Sequence, residues 1–259
     1  MSSAEAARSV RWTLRVAAPL SLLIIWQVAV ATRALNPAFF PPPSAIVRSF
    51  VAYAASGQLA TNTLATLGRI IIGLVLGGIP GTLLGLAMGM SRYVSAYADP
   101  IVKLLYPIPK IAILPLLYYI FGAGDGSRWA AVAIGVFFLM TINTEAGVRQ
   151  IEAIYLDVAR AYRTRPWTVF FRILLPGALP NIYAGLKLSI GIAIVLDVAA
   201  EYQLTNVGLG YAIFNAGQLL DVERLYAALV AVSLLGFLLS VTADAVERIA
   251  IPWRIARRG

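Results

Sequence analysis

Residues 145–180 read EAGVRQIEAIYLDVARAYRTRPWTVFFRILLPGALP and form the one long polar interruption of an otherwise apolar chain. Apolar side chains recur in its first half at the three- and four-residue spacing of one face of an amphipathic helix. These positions are Val148, Ile151, Tyr155, Val158 and Tyr162. The Thr-Arg-Pro sequence at 164–166 should end this helix, because proline disfavours helical geometry in the residue before it. The stretch therefore predicts a helical hairpin that docks a partner protein.

The rest of the chain has the composition of a membrane protein. Of its 259 residues, 60% are hydrophobic and 13% are charged, with a mean hydropathy of +0.80, which is far from soluble averages. A helix needs about 20 residues to cross the bilayer. The chain therefore has room for about six membrane helices and for no large soluble domain, so we expect one transmembrane domain over residues 1–259.

The composition also excludes several kinds of function. The chain has no Cys and no His, which removes disulfides, thiolate or imidazole metal ligands and imidazole acid–base chemistry. We therefore expect no metal site and no catalytic residue. The net charge of +9 could suggest nucleic acid as a partner, but the basic residues lie beside apolar runs, as the positive-inside rule requires. The lipid bilayer is the expected partner instead.

Six apolar segments follow one another along the chain, and the fold class predicted is an all-α polytopic membrane protein. They lie at residues 16–32, 62–90, 101–122, 129–144, from about 180 onward, and 225–243. The second contains glycines at four-residue spacing, which allow another helix to approach closely. The third contains Pro107, Pro109 and Pro115, so it should be kinked or partly unwound.

The arginines give the orientation of these segments. Thirteen lie in stretches predicted to be inside and four in stretches predicted to be outside. Both termini and the 145–180 hairpin are therefore expected in the cytoplasm, with the chain in the bacterial inner membrane.

Charged side chains within the spans are candidates for the substrate path, because a charge in hydrocarbon is costly unless it faces the protein interior or a watery cavity. The four candidates are Lys110, Lys187, Asp197 and Glu201. Asp197 and Glu201 lie one turn apart on one helix face. Either they face the interior or they mark the outer mouth, and we expect Glu201 at the mouth.

The 145–180 hairpin resembles the coupling loop of the membrane subunits of ATP-binding-cassette (ABC) importers. That family has Glu-Ala-Ala, three residues, Gly, nine residues and Ile-x-Leu-Pro. Here the same spacing places Asp157-Val158-Ala159, then Arg163, then Ile173-Leu174-Leu175-Pro176. Asp replaces Glu and keeps the charge, whereas Arg replaces Gly, so that a left-handed turn at residue 163 cannot be assumed.

The resemblance extends over nearly the whole chain and is closest to the branch that imports nitrate, sulfonates, taurine and bicarbonate. It is carried by FFPPPSAIV (39–47), TLGRIIIGLVLGGIPGTLLGLAMGMSR (66–92), YPIPKIAILPLLYYIFGAGDGSR (106–128), INTEAGVRQI (142–151), LLPGALPNIYAGLKLSIG (174–191) and AAEYQLTNVGLGYAI (199–213). Each motif alone is weak, but their order is specific.

The resemblance implies a type I ABC importer permease: a homodimer of six-span subunits, a cytoplasmic ABC ATPase dimer, and an external solute-binding protein. ATP and Mg would be bound by the ATPase; no cofactor is expected on this chain, whose sequence contains no P-loop motif. A small anionic solute would suit Lys110. The residues expected to contact the ATPase are Asp157, Val158, Ala159, Arg160, Tyr162, Arg163, Ile173, Leu175 and Pro176.

Three other interpretations compete. The hairpin could lie on the inner leaflet as an interfacial amphipathic helix, which its arginines would also suit. The chain could be a secondary transporter or channel that uses Lys110, Asp197 and Glu201, although it shows no internal inverted repeat. A membrane-embedded enzyme is the third, but no pair of groups suited to catalysis stands out.

Overall fold

The computed structural model describes residues 3–202 and 205–252, apart from the side chains of residues 3–13, 15 and 16. The described residues form helices and turns, with no strand. The helices are α1 (Ser3–Ala31), α2 (Pro43–Ala55), α3 (Gln58–Met90), α4 (Arg92–Leu105), α5 (Leu114–Phe121), α6 (Asp125–Arg149), α7 (Ala153–Ala161), α8 (Pro166–Val169), α9 (Leu175–Glu201), α10 (Leu209–Gln218) and α11 (Val222–Ala250). A 3₁₀ turn at Lys110–Ile113 precedes α5, and a π-helical turn at Phe170–Leu174 joins α8 to α9.

The chain divides into two compact units. The first consists of Met1–Ala60 and Ala212–Val230. In this unit the Trp26 and Tyr226 rings lie 5.7 Å apart, and the Ser44 backbone N–H donates to Gln27 Oε1. The second consists of Thr61–Tyr211 and Ala231–Gly259, and it contains every candidate site residue.

Several helices are long and apolar enough to cross a membrane. Four qualify by length and composition: Gln58–Met90, Asp125–Arg149, Pro166–Glu201 and Val222–Ala250. The pair Arg92–Leu105 and Lys110–Phe121 qualifies together but is bent by 84°, which confirms the predicted break in the proline-rich span. The apolar part of α1, Ala17–Ala31, is shorter, so that the sixth span stays a prediction.

The glycines of α3 pack against α6, as their spacing predicted. A Cβ on Gly77 would lie 2.2 Å from the Ala133 carbonyl oxygen, and one on Gly81 would lie 2.5 Å from that of Phe137. A Cβ on Gly73, Gly85 or Gly89 would likewise overlap atoms of α6. The two helices can therefore approach to backbone contact only because this face of α3 lacks side chains.

The single helix predicted over residues 148–162 is wrong. α6 ends at Arg149, Glu152 is in an extended-type conformation (ψ 131°), and a new helix begins at Ala153. The apolar stripe is therefore split. Val148 is buried and Ile151 packs with it against Leu174 and Ala178, and this tertiary packing draws residue 151 out of the helical register that the spacing suggested.

The start of the fifth span also differs from the prediction. A continuous helical segment runs from Pro166 to Glu201, rather than beginning near Pro180. The π-helical turn follows from Pro176, which has no N–H to donate to Arg172. The Leu175 N–H bonds to the Phe170 carbonyl instead, and the helix continues without a break.

Candidate functional site

The helix α7 presents one apolar face outward and one inward. Tyr155 and Val158 are about half exposed, and Tyr162, just after the helix, is 82% exposed. Leu156 packs inward against the cluster formed by Leu86, Val148, Leu174 and Ala178, and Ala159 is also buried. Asp157 and Arg160 form an exposed ion pair of 2.9 Å between neighbouring turns. The outward face therefore combines apolar side chains with one pair of opposite charges.

Arg163 ends α7 in a left-handed conformation, with φ of +49°. The Thr164 N–H bonds to the Ala159 carbonyl (2.9 Å) and the Arg163 N–H bonds to the Arg160 carbonyl (3.0 Å). This pair of bonds is the Schellman motif, in which the left-handed position is usually glycine. The turn expected of the family's glycine is thus present, although arginine occupies it.

We expect Arg163→Gly to stabilise this turn by about 1 kcal/mol, because glycine adopts positive φ without the steric cost that a Cβ adds. Amide hydrogen exchange over residues 159–164 should slow accordingly. Arg160→Gly is the matched control, since residue 160 is inside α7 and glycine there should cost about 1 kcal/mol. Faster exchange in both variants would show that the conformation at residue 163 is not strained.

The second half of the predicted motif lies beside the first. A groove of about 480 Å³ is lined by Val158, Ala159 and Tyr162 on one side and by Ile173 on the other. An adjoining cavity of about 490 Å³ is lined by Tyr155, Ile173 and Pro176, among others. Arg160 and Arg163 line a further groove with Ala159, and Leu175 packs on the apolar cluster beneath. The two halves therefore form one continuous surface, which we call the coupling surface.

The structure gives two of the substrate-path candidates local partners. The Lys110 ammonium donates to the carbonyl oxygens of Leu105, Tyr106 and Ile108, each at 2.8 Å, and lies 4.6 Å from the centre of the Phe138 ring. All three of its donors are thus used. Lys187 pairs with Asp244 (2.5 Å) and with Glu247 of α11. The described contacts make Lys110 a cap of its own bend and Lys187 a contact between α9 and α11.

The acidic pair lies in the interior of the second unit. Asp197 and Glu201 are both fully buried, so the expectation that Glu201 marks a solvated mouth is wrong. Its carboxylate is bound by Arg69 at 2.6 Å, by the Thr66 hydroxyl at 2.8 Å and by the Gly210 N–H at 2.7 Å. These partners offset the cost of burial. The two carboxyl oxygens of Asp197 have no hydrogen-bond partner among the residues that the structure describes.

Arg69 was missed at the sequence level. It lies inside α3 and is 8% exposed, and its guanidinium joins Glu201 to Asp125, at 2.8 Å from the latter. A signal was available, because an arginine within an apolar span marks a function or a buried partner by default. The pattern also places Asn62, Thr66 and Arg69 on one face of α3, at spacings of four and three.

Comparisons with known proteins identify the family of this chain. Residues 73–254 match the family described as "binding-protein-dependent transport system inner membrane component". The chain is 32% identical to the putative aliphatic sulfonates transport permease protein SsuC of Escherichia coli K12, over 95% of each chain. It is 31% identical to the taurine transport system permease protein TauC of the same organism, over 93% of this chain and 90% of that one.

The fold is likewise similar to that of a solved transporter. A chain of the inward-facing MetNI methionine ABC transporter has a TM-score of 0.57 and 21% identity, and the match covers 75% of this chain and 95% of that chain. The protein belongs to the family of binding-protein-dependent inner membrane transport components. Three predictions are confirmed: the branch of the family, the role as a transport subunit rather than an enzyme, and the place as a multi-pass protein of the inner membrane.

Proposed function

We propose that this chain is the permease subunit of an ATP-driven importer and that the coupling surface binds the ATPase. The observation that supports this most is the juxtaposition of exposed Tyr155, Val158 and Tyr162 with the groove beside Ile173. Apolar side chains that project beside a groove suit a helix that inserts into a partner. The Asp157–Arg160 pair would fix the register of docking, and ATP with Mg would be bound in the partner.

The assembly proposed is a dimer of this chain with a second copy, each with six spans and with both termini in the cytoplasm. An external binding protein would deliver the solute. The inward-facing and outward-facing states would exchange by rigid-body motion, driven by closure of the ATPase pair on the two coupling surfaces. The Pro166–Glu201 segment starts at the coupling surface and continues through the bundle, so that a displacement of one end moves the other.

The solute proposed is a small anion. The names of the relatives support this, since aliphatic sulfonates and taurine carry a sulfonate group. Lys110 and Lys187 do not add to that support, because their ammonium groups already bind backbone carbonyls and carboxylates. The secondary-transporter alternative is weakened for the same reason. Whether Lys110, Lys187, Asp197 or Glu201 lines the path stays a prediction.

Changing the apolar anchors tests the docking proposal. In the Val158→Lys/Tyr162→Lys variant, co-purification of the ATPase should fall at least tenfold, since buried anchors of an interface each cost roughly 1 kcal/mol or more when lost. Ala159 is left unchanged because it is buried. Transport should fall with it, while the melting temperature of the isolated permease should stay the same.

The matched control is Tyr93→Lys, an exposed tyrosine outside the 145–180 segment, which should retain the ATPase. Normal ATPase stoichiometry in the double variant would show that the coupling surface is assigned wrongly. That outcome would leave the interfacial-helix interpretation in place, since the apolar spans alone keep the double variant in the membrane.

A further inference from the structure

The cluster around Arg69 fastens one short segment to two helices. The Gly208 N–H donates to Asn62 Oδ1 at 2.9 Å, the Leu209 N–H to the Thr66 hydroxyl at 2.9 Å, and the Gly210 N–H to Glu201 at 2.7 Å. The Val207 carbonyl accepts from Arg69 at 2.9 Å. Buried side chains of α3 and α9 thus bond to the backbone of each of residues 207–210, and we call these contacts the latch.

The glycines of this segment are required by its closeness to Glu201. Gly208 has φ of +138°, and a Cβ there would lie 2.3 Å from the Glu201 carboxylate. A Cβ on Gly210 would lie 2.4 Å from the Val198 carbonyl oxygen. The backbone approaches the carboxylate directly, and no water or side chain fits between them.

The second acidic residue of α9 has no such partners. Asp197 is fully buried, and within the described part of the chain neither of its carboxyl oxygens has a hydrogen bond. It is within electrostatic range of Arg69, Arg128 and Glu201. A buried carboxylate without partners is costly. The contacts of this conformation do not offset the cost of burying Asp197, although two guanidinium groups are within electrostatic range.

Helix geometry puts Asp197 within reach of Arg69. α3 runs parallel to α6, because Gly73 contacts Val132 and Gly89 contacts Val148, whereas α6 runs antiparallel to α9. α3 and α9 are therefore antiparallel. Thr66 is in contact with Glu201, so Arg69 lies about 4.5 Å further along the axis and Asp197 about 6 Å further in the same direction. The Arg69 backbone is level with Asp197, and its side chain points back to Glu201, towards the N-terminus of its helix.

We propose that Arg69 is a positioning residue that exchanges one carboxylate for another: Glu201, which it holds together with Asp125 in this conformation, and Asp197, to which it moves when the 207–210 segment is released. Such a switch between discrete partners one helical turn apart is a known form of conformational change. The exchange of acceptors is a property of this chain alone. The proposal rests on the proposed function only where it makes the released state a step of transport.

The chain has no native cysteine, so a single reporter can follow the latch. Leu209 is fully buried, and Leu209→Cys should react slowly with N-ethylmaleimide while the latch is closed. Adding Glu201→Gln should speed labelling about tenfold or more, because losing one hydrogen bond to a charged group is worth roughly that factor. Asp197→Asn alone should leave labelling slow.

The decisive variant combines Glu201→Gln with Asp197→Asn. If Asp197 is the second acceptor, its loss keeps Arg69 in place and labelling should return to within about twofold of the slow rate. Labelling as fast as in Glu201→Gln alone, or faster, would overturn the proposal, since a purely structural role predicts that two lesions loosen the segment at least as much as one.

Two controls keep the result interpretable. Ala193→Cys, fully buried on the same helix, should stay slow in every background, which excludes general unfolding. If Glu201→Gln does not yield folded protein, Glu201→Asp replaces it, since the shorter carboxylate is withdrawn from Arg69.

In the complex with the ATPase, trapping with an ATP analogue should speed Leu209→Cys labelling, and Asp197→Asn should prevent this. Failure of the complex to form counts against docking alone, because the tests on the isolated chain still decide the switch.

Discussion

Gly77→Ala should lower the recovery of folded protein severely, with a loss of at least about 3 kcal/mol, because overpacking against backbone cannot relax by a change of rotamer. A Cβ at this position would lie 2.2 Å from the Ala133 carbonyl oxygen and 2.9 Å from two further backbone atoms of that residue. α3 and α6 would have to separate, and the neighbouring contacts of the glycine stripe would be lost with them. Size-exclusion chromatography after heating in detergent measures the effect.

Gly68→Ala is a control with the same chemical change in the same helix. A Cβ on Gly68 meets no atom within 4 Å, and alanine is the better helix former by up to about 1 kcal/mol. This variant should melt at or above the temperature of the unchanged protein. Equal behaviour of the two variants would mean that the stripe is not a contact surface.

The glycine stripe also shows how far the sequence predicts this fold. A four-residue spacing identifies one face of α3 as a contact face, and the structure confirms it. The same pattern carries no information on which helix fills that face, because any helix with a suitable ridge would do. The family resemblance predicts the class of fold, whereas the pairing of α3 with α6 is seen only in the structure.

That the two halves of the 145–180 motif lie side by side was predictable for a different reason. The residues of the motif were located by their spacing, and the structure brings both halves of the motif to one groove. The break at residues 150–152 was not predictable, because Ile151 leaves the helix to pack with Val148 and Leu174, a tertiary preference that local periodicity does not record. The left-handed turn at Arg163 was likewise obscured, since arginine gives no local signal for positive φ.

The latch shows a third kind of limit. The sequence marks Glu201 as a charged residue within a span. It does not reveal which residues from distant segments bind the carboxylate and offset the cost of its burial. Thr66 and Arg69 lie more than 130 residues away along the chain. The helical segment Pro166–Glu201 joins the two sites, because it begins at the coupling surface and ends at the latch.

Lys110→Met should destabilise the bend of the third span by about 1–2 kcal/mol, since three exposed carbonyl oxygens exchange a charged donor for water. Pro107 and Pro109 have no N–H, so the segment has few donors of its own for these carbonyls, and the Ile108 N–H bonds to the Leu105 carbonyl only at 3.3 Å. Removing the ammonium also relieves some cost of its burial, but Lys110 is only partly buried, and that gain is smaller than the loss of three charge-assisted bonds. Amide exchange over residues 105–113 should rise, and transport should fall.

Lys103→Met provides the comparison that decides between a local cap and a general need for positive charge. Lys103 is 75% exposed and pairs with Asp99 of the same helix, at 2.6 Å, an interaction worth about 0.5 kcal/mol or less. Its loss should leave both the melting temperature and the exchange of residues 105–113 unchanged. If the two variants behave alike, the ammonium of Lys110 does not hold the bend. If Lys110→Met abolishes transport with no change in exchange, the residue acts on the solute, as the sequence first suggested.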